Sequence, residues 1–318
     1  MNLEHLPDNP EARTLPPRPA ASRFNAPEHY RPSPELWAAV QTALHLGLPL
    51  LVTGEPGCGK TDLAAHIAWY YGLGRPEVFN GQTSSSVTDL FYRYDALRHF
   101  QHAQVRRETL TPEVVERDYI QYQALGAAIK SSETRVVLLD EIDKAPRDLP
   151  NNLLAALEKL EFNVPETGDP QRFTFAAAPQ NRPIIVMTSN SEKGLPDPFL
   201  RRVAFFDIKF PEAADLLNIM EKKLDGFEHL DAGTVVGLFE RIRKTEFGVL
   251  NKIPATAELL HWASSLLKLG VDTRQLDNPR ALENRQKELL GHSFSVLAKT
   301  RADLDTLKKA IGLQPGEI

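Results

Sequence analysis

A glycine-rich loop between a predicted strand and a predicted helix constrains the fold of this chain more than any other stretch. LPLLVT (48–53) has the apolar pattern of a buried strand, and TDLAAHIAWYYGL (61–73) has helical apolar spacing. Between them, GEPGCGKT (54–61) matches GxxxxGK[ST] at every fixed position. This order of elements predicts an α/β fold in which backbone N–H groups wrap a phosphate.

The residue types of the loop predict a site for nucleotide phosphates and Mg²⁺. Lys60 is expected to reach the β- and γ-phosphates, and the Thr61 hydroxyl to ligate Mg²⁺. The predicted nucleotide-binding residues are those of the loop and the first helical turn: Gly54, Glu55, Pro56, Gly57, Cys58, Gly59, Lys60, Thr61 and Asp62. The alternative is a glycine-rich turn that binds nothing. Cys58, the single cysteine, is interpreted as a small buried residue, with a redox switch as the alternative.

Two consecutive acidic residues follow a second predicted buried strand. In RVVLLDEIDKA, the apolar run 136–139 ends at Asp140 and Glu141. Because α/β sheets bind ligands at the carboxyl ends of their strands, both acids are expected beside the glycine-rich loop. Asp140 is predicted to hold Mg²⁺, and Glu141 to polarise the water that attacks the γ-phosphate. Taken alone, such a pair is also typical of a helix start.

Two further segments contain candidate functional residues. A third predicted strand, 184–187, leads to Asn190, whose amide can hydrogen-bond the attacking water and the γ-phosphate. The alternative for this segment is a polar turn. Arg201 and Arg202 precede a hydrophobic strand, 203–206, and a functional role for them competes with that of two solvated arginines.

The motifs GEPGCGKT, VVLLDEIDKA, IIVMTSN and PDPFLRRV, in that order, make the sequence similar to the AAA+ ATPases, specifically the MoxR-like branch. The resemblance implies an α/β P-loop NTPase core, a parallel sheet with helices on both faces, and a C-terminal all-helical lid. The expected domains are a flexible Pro-rich tail (1–22), the ATPase core (23–210) and the helical lid (211–318).

The resemblance also implies roles for individual residues. The positions that match the family's phosphate, Mg²⁺, catalytic-base and sensor 1 residues are Lys60, Thr61, Asp140, Glu141 and Asn190. Arg202 best matches the arginine finger that acts on a neighbouring subunit, with Arg201 as the second candidate. One departure concerns sensor 2, commonly an arginine at the start of a lid helix, where this chain has Ala257 and Glu258.

The lid and two segments between the motifs fit the same branch. Four stretches with helical spacing begin at residues 210, 231, 256 and 283, and the basic residues that could replace sensor 2 are Lys252, Arg280 and Arg285.

The segment 172–183 lies where the family carries a β-hairpin. The run 82–101 lies where the family makes partner or pore contacts. Its aromatic residues are interpreted as core, with a contact surface as the alternative: Phe91, Tyr92, Tyr94 and Phe100.

The amino-acid composition limits the classes of binding partner and the location that are expected. Thirty-seven basic and 42 acidic residues leave a net charge of −5, which does not favour nonspecific binding of nucleic acid. No apolar run approaches the ~20 residues of a membrane helix, and the polar N-terminus does not resemble a signal peptide, so a cytoplasmic location is expected.

The expected function is ATP-dependent, chaperone-like remodelling of protein partners, with ATP and Mg²⁺ as cofactors. The resemblance implies a homo-oligomeric ring, usually a hexamer, and a von Willebrand factor A-type partner. Two alternatives stay open. One is a nucleic-acid motor or an ATPase subunit of a restriction or defence complex. The other is a scaffold that assembles on ATP and hydrolyses it slowly, which the missing sensor 2 arginine leaves open.

Overall fold

The structure, a computed structural model, describes residues 23–106, 110–146, 149–190 and 195–314. The predicted tail, 1–22, lies outside these ranges. The described chain divides into two units: residues 32–209, and residues 210–314 together with 23–31. No helix in the described ranges is both long and apolar enough to cross a membrane.

A five-stranded parallel sheet forms the centre of the first unit. Its strands are β1 (Leu50–Gly54), β2 (Glu77–Asn80), β5 (Val136–Asp140), β8 (Ile184–Thr188) and β9 (Ala204–Ile208). They lie in the order β2-β5-β8-β1-β9, so β5, β8 and β1 are interior strands. These three strands are almost wholly buried, because helices remove both faces of the sheet from water. The sheet and its covering helices confirm the predicted α/β core.

The helices of the first unit are α1 (Pro34–Leu46), α2 (Lys60–Tyr70), α3 (Thr88–Phe91), α4 (Ala96–Arg106), α5 (Pro112–Tyr119), α6 (Ala124–Lys130), α7 (Leu149–Lys159) and α8 (Asp197–Leu200). Local sequence sets the ends of α1. The Ser33 side chain accepts a hydrogen bond from Leu36 N over 3.1 Å, and Gly47 ends the helix in the left-handed conformation.

Two small antiparallel pairs lie outside the main sheet. One joins β3 (Tyr92–Tyr94) to β4 (Ile120–Tyr122), and the other joins β6 (Glu161–Asn163) to β7 (Thr174–Ala176). The second pair is a hairpin ahead of β8, but only β7 lies within the predicted segment 172–183, and its partner β6 precedes that segment.

The aromatic residues of the run 82–101 divide between core and surface. Phe91 and Tyr92 are buried and stack on Phe162, with ring centroids 4.9 and 6.1 Å apart, and Tyr94 packs partly buried against the same core. The core interpretation is therefore right for these three. It is wrong for Phe100, which is 61% exposed on α4.

The second unit is helical: α9 (Ala213–Lys223), α10 (Ala232–Arg243), α11 (Thr256–Leu269), α12 (Asn284–Ser293) and α13 (Arg301–Ala310). Its core contains Phe239, Trp262 and Phe294, with successive ring centroids 6.4 Å apart. The last predicted helical stretch forms two helices, because Thr300 caps a new one by accepting a hydrogen bond from Asp303 N.

Residues 23–31 belong to this helical unit, whereas the expected ATPase core began at residue 23. The Lys223 ammonium donates to the Phe24 carbonyl oxygen over 2.7 Å, and Arg23 pairs with Asp225 at 3.2 Å. Residues 23–31 group with the helical unit through such contacts, and no periodic pattern in the sequence predicts them.

Candidate active site

The glycine-rich loop follows β1 directly and leads into α2. Gly54, Gly57 and Gly59 have φ angles of 144, 77 and 90°, a range that favours glycine. At Gly54 a side chain would also collide, since an added Cβ would lie 2.7 Å from the Ile208 carbonyl oxygen. The loop therefore has the backbone form that brings main-chain N–H groups close to an anion at a helix N-terminus.

Lys60 connects this loop to the end of β8. The residue is only 8% exposed, and its ammonium donates to the carbonyl oxygens of Gly54 and Glu55 over 2.7 and 3.0 Å. The third contact is to the side-chain oxygen of Asn190, at 3.1 Å. An ammonium group has three donors, so these contacts hold the charge in one place beside the loop. The structure thus brings together two residues that the sequence separates by 130 positions.

Thr61 and Asp140 form the candidate metal site. The Thr61 hydroxyl donates to the two Asp140 carboxylate oxygens, over 3.2 and 3.3 Å. A hydroxyl and a carboxylate are hard oxygen ligands of the kind that Mg²⁺ takes together with phosphate oxygens and water. The donor set therefore fits a magnesium ion, which Thr61 and Asp140 would hold jointly.

Glu141 lies at the turn where β5 ends. Its φ and ψ angles of 53 and 49° are in the left-handed region, which residues with a side chain rarely adopt. The Lys144 ammonium lies 2.6 Å from Glu141 Oε2 in a solvent-exposed ion pair. The hydrogen bond to Glu141 raises the pKa of Lys144. The glutamate carboxylate is thus ion-paired on the surface near the metal ligand, where it can be reached by water.

Three residues of this site were missed by the sequence analysis. Thr188, fully buried, donates to Asp140 and accepts from Glu141 N. Gly81 N donates to the Asp140 carbonyl oxygen over 2.8 Å, and a Cβ at Gly81 would lie 2.5 Å from the Glu141 carbonyl oxygen. Lys144 is the third. Thr188 ends β8 and Gly81 follows β2, the two strands beside β5, and a position at a strand end could have marked them.

The other predicted loop residues surround this cluster. Glu55, Pro56 and Gly57 are exposed at the tip of the loop, and Asp62 is half-buried in the first turn of α2. Cys58 is half-buried, and burial raises the pKa of its thiol. A thiol kept protonated is a poor nucleophile, which favours the interpretation as a small packing residue over a redox switch.

The two arginines lie away from these contacts, on the turn that follows α8. Both are exposed, and Arg202 Nε lies 2.9 Å from Glu158 Oε1 on α7. Their placement gives Arg202 a partner in its own chain and leaves a large part of its side chain accessible to another molecule.

The sensor 2 position of the lid holds no cation. Glu258 instead accepts a hydrogen bond from Ala255 N over 3.1 Å and so caps α11. Arg280, one of the possible replacements, donates to the Ala310 carbonyl oxygen over 2.8 Å at the end of α13. Arg280 therefore has a structural partner within the helical unit.

A parallel sheet with this loop, this lysine and this threonine–aspartate pair at its carboxyl edge defines a P-loop NTPase. Residues 49–203 match the family model described as AAA domain (dynein-related subfamily). The match covers just under half of the chain, and that part is similar to AAA domains.

Individual relatives are more distant. The chain is 25% identical over 206 residues to the gas vesicle ATPase GvpN of Haloferax mediterranei, which covers 63% of this chain and 58% of that protein. The chain thus spans less than two thirds of the length of this curated relative. Among solved structures, two RuvB variants of Thermotoga maritima are each 16% identical, with TM-scores of 0.37 and 0.41. They cover 82 and 81% of this chain and 74 and 73% of their own chains.

Proposed function

We propose that this chain is a MoxR-like AAA+ ATPase that binds ATP with Mg²⁺, hydrolyses it, and remodels protein partners as a ring in the cytoplasm. The observation that carries the ATPase proposal is the set of side-chain contacts joining Lys60 to Asn190 and Thr61 to Asp140. Polar groups from three separate segments of the chain, at Lys60–Thr61, Asp140 and Asn190, meet where the strands end. If the loop were only a turn, it would not need a buried ammonium beside three glycines with positive φ angles, because burying a charge is costly.

Each residue of the site has a different proposed role in ATP hydrolysis. Lys60 and the loop N–H groups would hold the phosphates, and Thr61 and Asp140 would hold the metal. Bound Mg²⁺ supplies positive charge that stabilises the charge developing on the transferred phosphoryl group. Glu141 would accept a proton from the attacking water, and Asn190 would orient that water through its amide.

The arginine finger requires a second copy of the chain. Arg202 is about half exposed on the turn that follows α8 and takes no part in the Lys60–Asn190 and Thr61–Asp140 contacts, so a neighbouring subunit is the natural recipient of its charge. A head-to-tail arrangement of subunits closes into a ring and repeats the same interface at every site. This supports the homo-oligomeric ring, a hexamer by resemblance, in which ATP turnover moves the lid and the subunits.

The ATPase proposal is tested by phosphate release from the purified full chain in the presence of Mg²⁺. The wild type should release phosphate, and Glu141→Gln should bind ATP but release at least about 100-fold less, because the amide retains the shape and loses the base. Lys309→Ala, an exposed lysine on α13, serves as the control and should match the wild type. A wild type that neither binds ATP nor releases phosphate would contradict the proposal.

Whether the partner is a protein or a nucleic acid is tested by a separate measurement. We infer a protein client, of which a von Willebrand factor A-type protein is the proposed example, because the net charge of −5 does not favour a nucleic-acid backbone. Turnover should rise with a co-purified protein and stay unchanged with single- or double-stranded DNA. Stimulation by DNA alone would favour the nucleic-acid motor.

A slow scaffold is the second candidate, favoured by the lid. Glu258 occupies the sensor 2 position as a helix cap. If ATP drives assembly of the ring, as measured by light scattering, while phosphate release stays much slower than assembly with every partner tried, the scaffold is the better description.

A further inference from the structure

Thr188 occupies a position between the two acidic residues that the proposed mechanism uses. It ends β8, which lies next to β5, and its side chain is fully buried. The Thr188 hydroxyl donates to Asp140 Oδ1 over 2.5 Å and accepts from the backbone N–H of Glu141 over 2.9 Å. One hydroxyl therefore contacts both the metal ligand and the residue that carries the candidate base.

The turn at Glu141 depends on contacts of this kind. A left-handed conformation at a residue with a side chain persists only where the surroundings hold it. Two neighbouring strands supply the contacts: Thr188 from the end of β8, and Gly81, just after β2, through its N–H to the Asp140 carbonyl oxygen. The Thr188 contact is the one made by a side chain, so it is the contact that a substitution can remove.

The same hydroxyl orients the Asp140 carboxylate. Asp140 Oδ1 accepts from Thr188 on one side and from Thr61 on the other, over 2.5 and 3.2 Å. Groups that hydrogen-bond a metal-binding carboxylate fix its direction, and their loss commonly lowers metal affinity or activity by about 10- to 100-fold.

We propose that Thr188 is a positioning residue that aligns the Asp140 carboxylate with Thr61 and holds Glu141 in its left-handed conformation. The inference rests on the proposed ATPase function and extends it to a fully buried residue that the sequence analysis did not single out. Valine has nearly the shape of threonine and lacks the hydroxyl. Thr188→Val therefore leaves the carboxylate without one donor and the Glu141 N–H without its acceptor.

The test compares four full-length proteins: wild type, Thr188→Val, Thr188→Ser and Thr167→Val. Thr167 is the matched control, because it is also buried and its hydroxyl also donates to one oxygen, Val164 O, and accepts from a backbone N–H, Asp169 N. It lies in the connection between β6 and β7, away from the site. The measurements are kcat and KM for ATP, the Mg²⁺ concentration for half-maximal turnover, ATP binding by calorimetry with and without Mg²⁺, and thermal unfolding.

Thr188→Val should lower kcat by about 10- to 100-fold and raise the half-maximal Mg²⁺ concentration, while ATP binding without Mg²⁺ stays within about twofold. Thr188→Ser should restore both quantities, and Thr167→Val should keep them despite a comparable loss of thermal stability. Equal kinetic losses in both valine variants, or turnover of Thr188→Val within about twofold of wild type, would overturn the proposal.

Calorimetry separates this inference from the proposed function. If the wild type binds Mg²⁺ and ATP but does not hydrolyse ATP, the proposed hydrolysis is contradicted. The positioning role of Thr188 is then tested by binding alone. Weaker Mg²⁺-dependent binding in Thr188→Val, restored in Thr188→Ser, supports it. Unchanged Mg²⁺-dependent binding, or a wild type that shows none, overturns it.

Discussion

Lys60 Nζ donates a hydrogen bond to Asn190 Oδ1 over 3.1 Å, which ties the glycine-rich loop after β1 to the segment after β8. The two residues contribute different chemistry to this contact. Lys60 brings a charge that is hydrogen-bonded to the loop itself, whereas Asn190 brings a neutral amide at the edge of the sheet. Substitution at either end should therefore affect different steps of the reaction.

Lys60→Ala should weaken ATP binding by at least about 100-fold, because it removes the cation that contacts the loop carbonyls while leaving the glycine backbone in place. Asn190→Ala should bind ATP within a few-fold of wild type and lose at least about tenfold in kcat, since the amide acts on the attacking water. Calorimetry and phosphate release measure the two quantities. Undiminished binding by Lys60→Ala would contradict the phosphate-loop assignment.

Arg280→Ala provides the comparison for the lid. Because the Arg280 guanidinium already donates to the Ala310 carbonyl oxygen, its loss should lower turnover by less than the loss of Asn190. The same is expected of Arg285→Ala. If Arg280→Ala is as inactive as Asn190→Ala, a relocated sensor 2 is present.

Glu141→Gln and Arg202→Ala should each be nearly inactive, yet activity should return when the two proteins are mixed. In a head-to-tail ring each site combines Glu141 of one subunit with Arg202 of the next, so random 1:1 mixing leaves about a quarter of interfaces with both groups. The measurement is phosphate release at several mixing ratios after subunit exchange, with a maximum near equal amounts.

The matched control is Glu158→Gln, which removes the intrachain partner of Arg202. Both side chains of this pair are more than half exposed, and such pairs contribute little to stability, so Glu158→Gln should hydrolyse ATP at the wild-type rate. Mixtures that stay inactive despite demonstrated co-assembly would exclude Arg202 as the finger and direct attention to Arg201.

Gly81→Ala should lower kcat by at least about tenfold, because the added methyl group would lie 2.5 Å from the Glu141 carbonyl oxygen and must displace that turn. The control is Gly237→Ala in the middle of α10, where an added Cβ meets no described atom within 4 Å apart from its chain neighbours and the backbone of its own helix. That substitution should keep full activity and raise stability by about 0.5–1 kcal/mol. Normal turnover by Gly81→Ala would show that the turn tolerates displacement.

Asp303→Asn should destabilise the helical unit by about 1–3 kcal/mol at neutral pH. The Asp303 side chain is buried, and its Oδ1 accepts from Asn251 N and Asn251 Nδ2 over 2.7 and 3.0 Å. Burial acts to raise the pKa of this carboxyl, but the hydrogen bonds from Asn251 and Thr300 outweigh it, and the pKa lies below its usual value. The contribution is therefore present above about pH 4, the unfolded-state pKa, and is lost as the pH falls through the folded-state value.

Denaturant unfolding at several pH values checks both statements. The wild type should lose more stability than Asp303→Asn as the pH falls below about 4. Asp305→Asn, two residues along α13 at a partly exposed ion pair with Arg301, is the control and should behave like the wild type at every pH. Parallel pH profiles for wild type and Asp303→Asn would refute the assignment of a depressed pKa.

Local patterns in the sequence determined the central strands, the glycine-rich loop and the helix after it. Each of these features depends on residues close together in the chain. The apolar run 136–139 predicted β5 because an interior parallel strand must be apolar on both faces. The glycines of GEPGCGKT predicted a phosphate-binding loop, whose positive φ angles favour glycine. The roles predicted for Lys60, Thr61 and Asp140 likewise follow from residue type and from the expected edge of the sheet, and they stay predictions.

Only the tertiary structure decided how these groups are held. Thr188 contacts Asp140 and Glu141 because β8 pairs with β5, and Gly81 contacts the same turn because β2 pairs with β5 on the other side. The pairing of Arg202 with Glu158, and of residues 23–31 with the helical unit, also depends on contacts between separate elements. Strand order and side-chain direction arise from packing of the whole sheet and its helices, and no periodicity within a single segment contains that information.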